Sequence, residues 1–310
     1  MALRIMRIAI VLPIYSIFSF LSICFPDAYV YLIGWVEVFQ GIALYSFLML
    51  LCDFLAPNDR HKVYFFASLR IPSSYNKDKT TDGLSWLWRT WFFVLQYPIV
   101  SFVTAIAQCI TQAAGVYCLD SRDRRFAHLW INVTQVISVA FAVLAILRLY
   151  RNVKSYIQEH KPLAKLLVFK LVVGLVFLEK IIFMIVDSAN GLEPSDTLSY
   201  ADTIIGIPTM IICLQMIPFA LVFPYSYPTK PDKASSTTRA SDSQQHRAVV
   251  DSESGRPFAK RYQGGPLGIC AWLALWNPVD FFRDIMSTLY MFRAAEMELR
   301  EAGVSLNSRV

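Results

Sequence analysis

An acid and a base stand side by side in an otherwise apolar stretch, Leu171-Val-Val-Gly-Leu-Val-Phe-Leu-Glu179-Lys180-Ile-Ile-Phe-Met-Ile185. Ionised groups are expensive to hold within a membrane and are kept where they pair or act. Neighbours on a helix diverge by about 100°, so Glu179 and Lys180 cannot both face one cavity. They read either as a packing contact between helices or as a site that handles a solute. A second set is Glu37 and Gln40, three residues apart and so on one helix face, with Tyr45 further along the same run and Gln215 in a later one. These residues could line a polar path. They serve equally as interhelical hydrogen bonds, worth only about 0.6 kcal/mol each on average in membranes. A third set is the stripe of Gln96, Thr104, Gln108, Thr111 and Gln112, in which Gln108 and Gln112 lie one turn apart. Uncharged amides and hydroxyls suit amphipathic solutes such as sterols or bile-acid-like molecules better than ions, and they also suit helix packing.

Other chemistries lack their residues. The four histidines, His61, His128, His160 and His246, fall outside helix centres and form neither HxxxH nor HExxH spacing. No glycine-rich phosphate loop and no GxSxG elbow occurs. The six cysteines show no CxxC or zinc spacing. Neither an enzyme, a metal nor a cofactor is therefore expected. Cys24 and Cys118 fall on one expected side of the membrane, which leaves a disulfide between them open. Cys52, at the inner end of an apolar run, and Cys270 are palmitoylation candidates.

The elements that position these residues follow from composition. The chain of 310 residues is 55% hydrophobic and only 17% charged, against about 25% charged for typical soluble domains. Spanning the hydrocarbon takes roughly 20 apolar residues as helix. Six runs qualify, near Ile5–Phe25, Tyr31–Leu55, Trp86–Gly115, Ala127–Tyr150, Leu163–Val186 and Tyr200–Pro224. The fold expected is all-α, a polytopic integral membrane bundle of about six transmembrane helices. Arg4 and Arg7 precede a core too long for a signal peptide, and no small-residue cleavage site follows it. Pro13, Pro98, Pro208 and Pro218 fall inside runs and are tolerated there as kinks.

Basic residues gather at alternate ends of the runs, which fits membrane topology rather than nucleic-acid binding. One side carries Arg4, Arg7, Arg60, Lys62, Arg70, Lys77, Lys79, Arg148, Arg151, Lys154, Lys161 and Lys165. On the other, Arg122, Arg124 and Arg125 are offset by Asp120 and Asp123. Both termini are expected in the cytoplasm. Residues 1–227 form the transmembrane bundle, and 228–265 a polar linker expected to be disordered. Residues 266–302 hold a short apolar segment and an amphipathic C-terminal helix, opened by Asn277-Pro278 and lying on the inner leaflet or on the bundle. Residues 303–310 form a disordered end.

Several segments, in order, resemble one family. Arg7-Ile-Ala-Ile-Val-Leu-Pro13-Ile-Tyr15-Ser16, Glu37-Val-Phe-Gln40 through Tyr45-Ser46-Phe47, Leu95-Gln96-Tyr97-Pro98, Lys161-Pro162-Leu163 with Lys170, Leu214-Gln215-Met216 and Asn277–Arg283 are the matching pieces. Together they resemble the organic solute transporter alpha-subunit family, in its transmembrane-protein-184 and Lazarus-like branch. The resemblance implies seven helices with this chain starting at the second, through either a truncated paralogue or a misplaced start. It also implies intramembrane glutamates where Gln40 and Gln215 stand, so that acidic chemistry is altered here or has moved to Glu179. The function expected is transport of organic solutes (sterol, bile-acid-like or lipid-like) in a vacuolar, endomembrane or plasma membrane. The alternative is a trafficking or signalling scaffold of endomembranes. Partners expected are the lipid bilayer, the solute itself and a small single-span subunit or a second copy of the chain. Epitope tags on either terminus are predicted to be protease-sensitive only after the cytosolic face is opened; protection of one terminus alone would overturn the assignment from basic residues.

Overall fold

The computed structural model describes residues 2–56, 59–72, 80–119, 125–157, 174–179, 181–183, 185–186, 205–226 and 278–301. The chain enters as α1 (Ala2–Ala9) and α2 (Val11–Cys24), which together make one span. The interruption at Ile10 falls one turn before Pro13, whose missing N–H leaves the Ala9 carbonyl unmatched. Backbone bonds from Ile10 to Met6 and from Ile14 to Ile10, 3.0 and 3.1 Å, carry the helix across it. A 3₁₀ turn at Pro26–Ala28 opens α3 (Tyr29–Leu55).

Helix α4 (Asp59–Ser68) and a ribbon of β1 (Arg70–Pro72) and β2 (Thr80–Asp82), paired antiparallel with Arg70 opposite Asp82, follow. Neither was expected, since this polar stretch carries no long apolar run. The ribbon returns the chain to Gly83 at the start of α5 (Gly83–Ala113). A Cβ at Gly83 would lie 2.3 Å from the Phe66 carbonyl oxygen, so the turn requires glycine. After α6 (Ala127–Ile157), α7 (Ile207–Ser226) and α8 (Pro278–Glu301) complete the described helices.

Among the described residues, four helical stretches are long and apolar enough to cross a membrane: Arg4–Cys24, Pro26–Leu55, Gly83–Ala113 and Ala127–Lys154. They correspond to the first four expected runs. The fifth run falls largely outside the described residues, although 174–179 and 181–183 are helical. The sixth is met by α7, whose apolar part Ile207–Val222 is shorter than a full span. The linker 228–265 and the segment 266–277 also lie outside the described residues.

Helix α3 is central. It packs against α1, α2, α5 and α6, and 72% of its span window is buried, against under half for each other span. Helix α6 lies on the far side of α5, and α7 packs on α2. Outward faces stay apolar: Ile99, Val103 and Ile110 on α5, and Ile137, Phe141 and Leu144 on α6, are all exposed. Lipid rather than water suits such stripes.

Glycines set the α3–α5 distance. A Cβ on Gly41 would lie 2.7 Å from the Pro98 Cα, and one on Gly34, two turns earlier, 3.1 Å from the Ala105 Cα. Small residues let helix backbones meet in a membrane, where dispersion contact must stand in for the hydrophobic effect. Gly41→Leu is predicted to destabilise the bundle by about 1–3 kcal/mol through overpacking. Gly174→Ala, with nothing within 4 Å of the added carbon, should not. Thermal unfolding in detergent would show a lowered midpoint for the first variant alone.

Candidate functional site

Polar side chains from α2, α3, α5, α6 and α7 meet inside the bundle in three hydrogen-bonded groups, the first around Glu37. The Glu37 carboxylate accepts from the Tyr97 hydroxyl of α5 at 2.7 Å and from the Gln135 amide of α6 at 3.1 Å. The same amide donates to Ser101 Oγ at 2.8 Å, and its carbonyl accepts from Thr104 Oγ1 at 3.0 Å. Gln135 thereby ties α3, α5 and α6 together. One turn from Glu37, Gln40 is 3% exposed and accepts from the Tyr15 hydroxyl of α2. Tyr15 lies within electrostatic reach of both Glu37 and Glu179. Beyond it, the Gln215 amide of α7 donates to Glu179 Oε2 at 2.6 Å. Glu179 is buried, and its second oxygen, Oε1, has no hydrogen-bond partner among the described residues.

The structure thus brings together Glu37, Gln40, Glu179 and Gln215, drawn from separate runs. Gln96 and Gln108 instead hold helices in place. Gln96 Nε2 donates to the Ser138 carbonyl of α6 at 3.1 Å, and Gln108 Nε2 to the Val30 carbonyl of α3 at 2.8 Å. Gln112 is half-buried near the end of α5. Tyr45 departs from the expected path. At 1% exposure it is packed away from Gln40, under α8, with ring centroids 5.1 Å from Phe281 and 6.5 Å from Trp91. Five residues of helix carry it about 7.5 Å along α3 from Gln40. Lys180 lies outside the described residues.

The cysteine expectations fare differently. Cys24 and Cys118 are both free, so the disulfide left open between them is not formed. Cys24 ends α2, which packs on α3 and α7, whereas Cys118 follows α5, which packs on α3 and α6. Cys52 is 5% exposed, so its thiol is not presented for acylation. Cys270 lies outside the described residues. Among the described residues no group of three His, Cys, Asp or Glu side chains is placed to hold a metal.

Sequence reasoning missed Gln135, Ser101 and Ser138. A signal was present in α6, where Gln135, Ser138, Ala142 and Ala145 recur at helical spacing on its buried face. It also missed an ionic cluster at the other end of α3. Asp53 accepts from Arg4 and from Lys62 Nζ at 2.8 Å. Asp284 of α8 lies 3.7 Å from Arg4 and 3.4 Å from Arg7, which is only 3% exposed. Asp53 is sixteen residues beyond Glu37, which places this cluster about 24 Å along the helix from it. These cations were read as topology markers because their acidic partners are remote in sequence.

The family model for the organic solute transporter Ostalpha matches residues 3–232. The chain belongs to that family. Membership confirms the resemblance carried by the Pro13-to-Ser16, Leu95-to-Pro98 and Lys161-to-Lys170 segments. A transmembrane protein 184 homolog of Dictyostelium discoideum is 27% identical over 243 residues, covering 72% of this chain and 46% of the relative. Protein LAZ1 of Arabidopsis thaliana is 24% identical over 246 residues, covering 72% of this chain and 50% of that protein. The chain spans about half the length of these curated relatives. No solved structure matches it. Ostalpha membership and the long apolar helices mark it as an integral membrane protein, and the family is one of membrane solute-transporter type.

Gln135→Leu removes three bonds to two neighbouring helices and leaves the Glu37 carboxylate short of a donor, so a loss of about 1–3 kcal/mol is predicted. Gln96→Leu removes one interhelical bond and should lose only about 0.6 kcal/mol. Unfolding midpoints of the two variants should fall in that order.

Proposed function

We propose that the chain carries an organic amphipathic solute of sterol, bile-acid or lipid-like character across a membrane, with Glu179, Gln215 and Tyr15 orienting its polar end. The observation that carries this reading is the buried Glu179 carboxylate. It takes one donor from Gln215 at 2.6 Å and keeps Oε1 without a partner among the described residues. Leaving a buried acceptor unmatched costs on the order of 1–3 kcal/mol, more for a charged group. A hydroxyl or amine on a passing solute would satisfy it. Ostalpha membership supports the transport class.

The surroundings fit such a role. Helix α7, which bears Gln215, packs against α2 rather than in the α3–α5 centre. The apolar residues Leu178, Ile182, Leu214 and Ile217, near Glu179 and Gln215 in the chain, are exposed, so a solute reaching Glu179 from the lipid passes an apolar surface. Gln40 and Glu37, already matched by Tyr15, Tyr97 and Gln135, act as the fixed wall behind the pair. Both termini then face the cytoplasm, as the basic residues require.

Uptake and efflux of a fluorescent sterol conjugate in cells expressing the full chain test the proposal. Glu179→Gln and Gln215→Leu should each lower flux at least tenfold at equal surface abundance, while Gln96→Leu leaves it within about twofold. Unchanged flux in both variants, with cargo mislocalised after removal of residues 228–310, would sink transport and favour the scaffold role.

A further inference from the structure

A second polar site lies at the opposite end of α3 from Glu37, where α1, α4, α5 and α8 converge. A cavity of about 50 Å³ opens there, its polar lining made of Arg4, Lys62, Trp91, Ser287, Thr288 and one carboxylate, Asp284, which lies 3.7 Å from Arg4. Leu48, Met49, Leu87 and Phe292 form its apolar wall. We propose that this cavity binds a phosphate-bearing anionic group, with the headgroup of an anionic lipid as the natural source, and that occupancy fastens α8 to the bundle.

Four observations carry this. The lining is rich in donors: a guanidinium, an ammonium, an indole N–H and two hydroxyls face one small space. Trp91 is 3% exposed, and among the described residues neither its Nε1 nor the Tyr45 hydroxyl beside it has a partner at hydrogen-bond distance. Beside the cavity, Arg7 is 3% exposed and its Nη2 is also unmatched, although Arg7 Nη1 reaches Asp284 at 3.4 Å. Three cationic side chains, Arg4, Arg7 and Lys62, therefore converge on the carboxylates of Asp53 and Asp284.

Size selects the ligand. A water needs on the order of 10–15 Å³ of such space, so the cavity admits a few waters or one phosphate group. It is far below the roughly 300–1,000 Å³ of pockets that enclose drug-sized molecules. A whole sterol does not fit. The apolar wall and the exposed stripe of Phe282, Met286 and Tyr290 on α8 offer a surface along which acyl chains can lie while the headgroup enters. Arg4 stands at the end of a span and Lys62 on the adjoining α4, and basic residues at span ends commonly meet lipid headgroups.

Purified full chain in detergent would be titrated with dioctanoyl phosphatidic acid, dioctanoyl phosphatidylcholine and inorganic phosphate, with binding read by native mass spectrometry and by thermal unfolding. Phosphatidic acid should bind saturably and raise the unfolding midpoint. Lys62→Met and Trp91→Phe, two small changes on separate helices, should each weaken it about tenfold while circular dichroism stays as in the parent. Equal binding of inorganic phosphate would assign the site to a free anion, and preference for phosphatidic acid would assign it to a lipid. Absence of saturable binding by either anion would overturn the proposal. So would equal binding of phosphatidylcholine, or affinity unchanged in both variants.

Discussion

The close approach of α3 and α5 is the contact on which the rest of the bundle depends. Gly41 against Pro98 and Gly34 against Ala105 leave no room for a side chain between the two helices. That spacing puts the Tyr97 hydroxyl 2.7 Å from Glu37 and the Gln108 amide 2.8 Å from the Val30 carbonyl. A wider separation would leave both polar groups reaching across a gap without water to fill it. Helix α6 then docks on α5 through Gln96 and Gln135, and the second of these reaches past α5 to the same carboxylate. Packing and polar matching are thus one constraint, set by two missing side chains.

Polar matching is graded across the bundle. Glu37 is met by two described donors, Gln40 by one, and the Glu179 pair by a single amide. Matching falls off from the central α3 toward the pair of Glu179 and Gln215. In a protein that exchanges a ligand, the saturated end serves as framework and the unsaturated end as the part that can change partners. The proposed transport role would give that gradient a use, because a carrier needs fixed geometry on one side of its path and vacant valence on the other.

Much of this was legible from sequence, and the omissions have a common cause. Apolar length located four spans to within a few residues, because the hydrocarbon thickness and helical rise fix that length. Glu179 and Gln215 stood out because polar groups are rare in such runs, and the structure joins them. Gln135 did not stand out, since one amide near Asn132 and Thr134 looks like the polar start of a helix. Its importance comes from a bond to a residue 98 positions away. Tyr45 was drawn into the polar set by adjacency along the chain, yet α8, more than 200 residues later, covers it with Phe281. Periodicity reports which face of a helix is buried; it does not report what buries it.

The link between Arg7 and Asp284 spans 277 positions of chain. During synthesis Arg7 enters the membrane boundary long before its carboxylate has been made, whereas Arg4 meets Asp53 as soon as α3 is inserted. The bundle is therefore completed in two stages, an early closure within its first two spans and a late one when the final helix arrives. Until that arrival, a buried guanidinium lacks the carboxylate it meets in the finished fold.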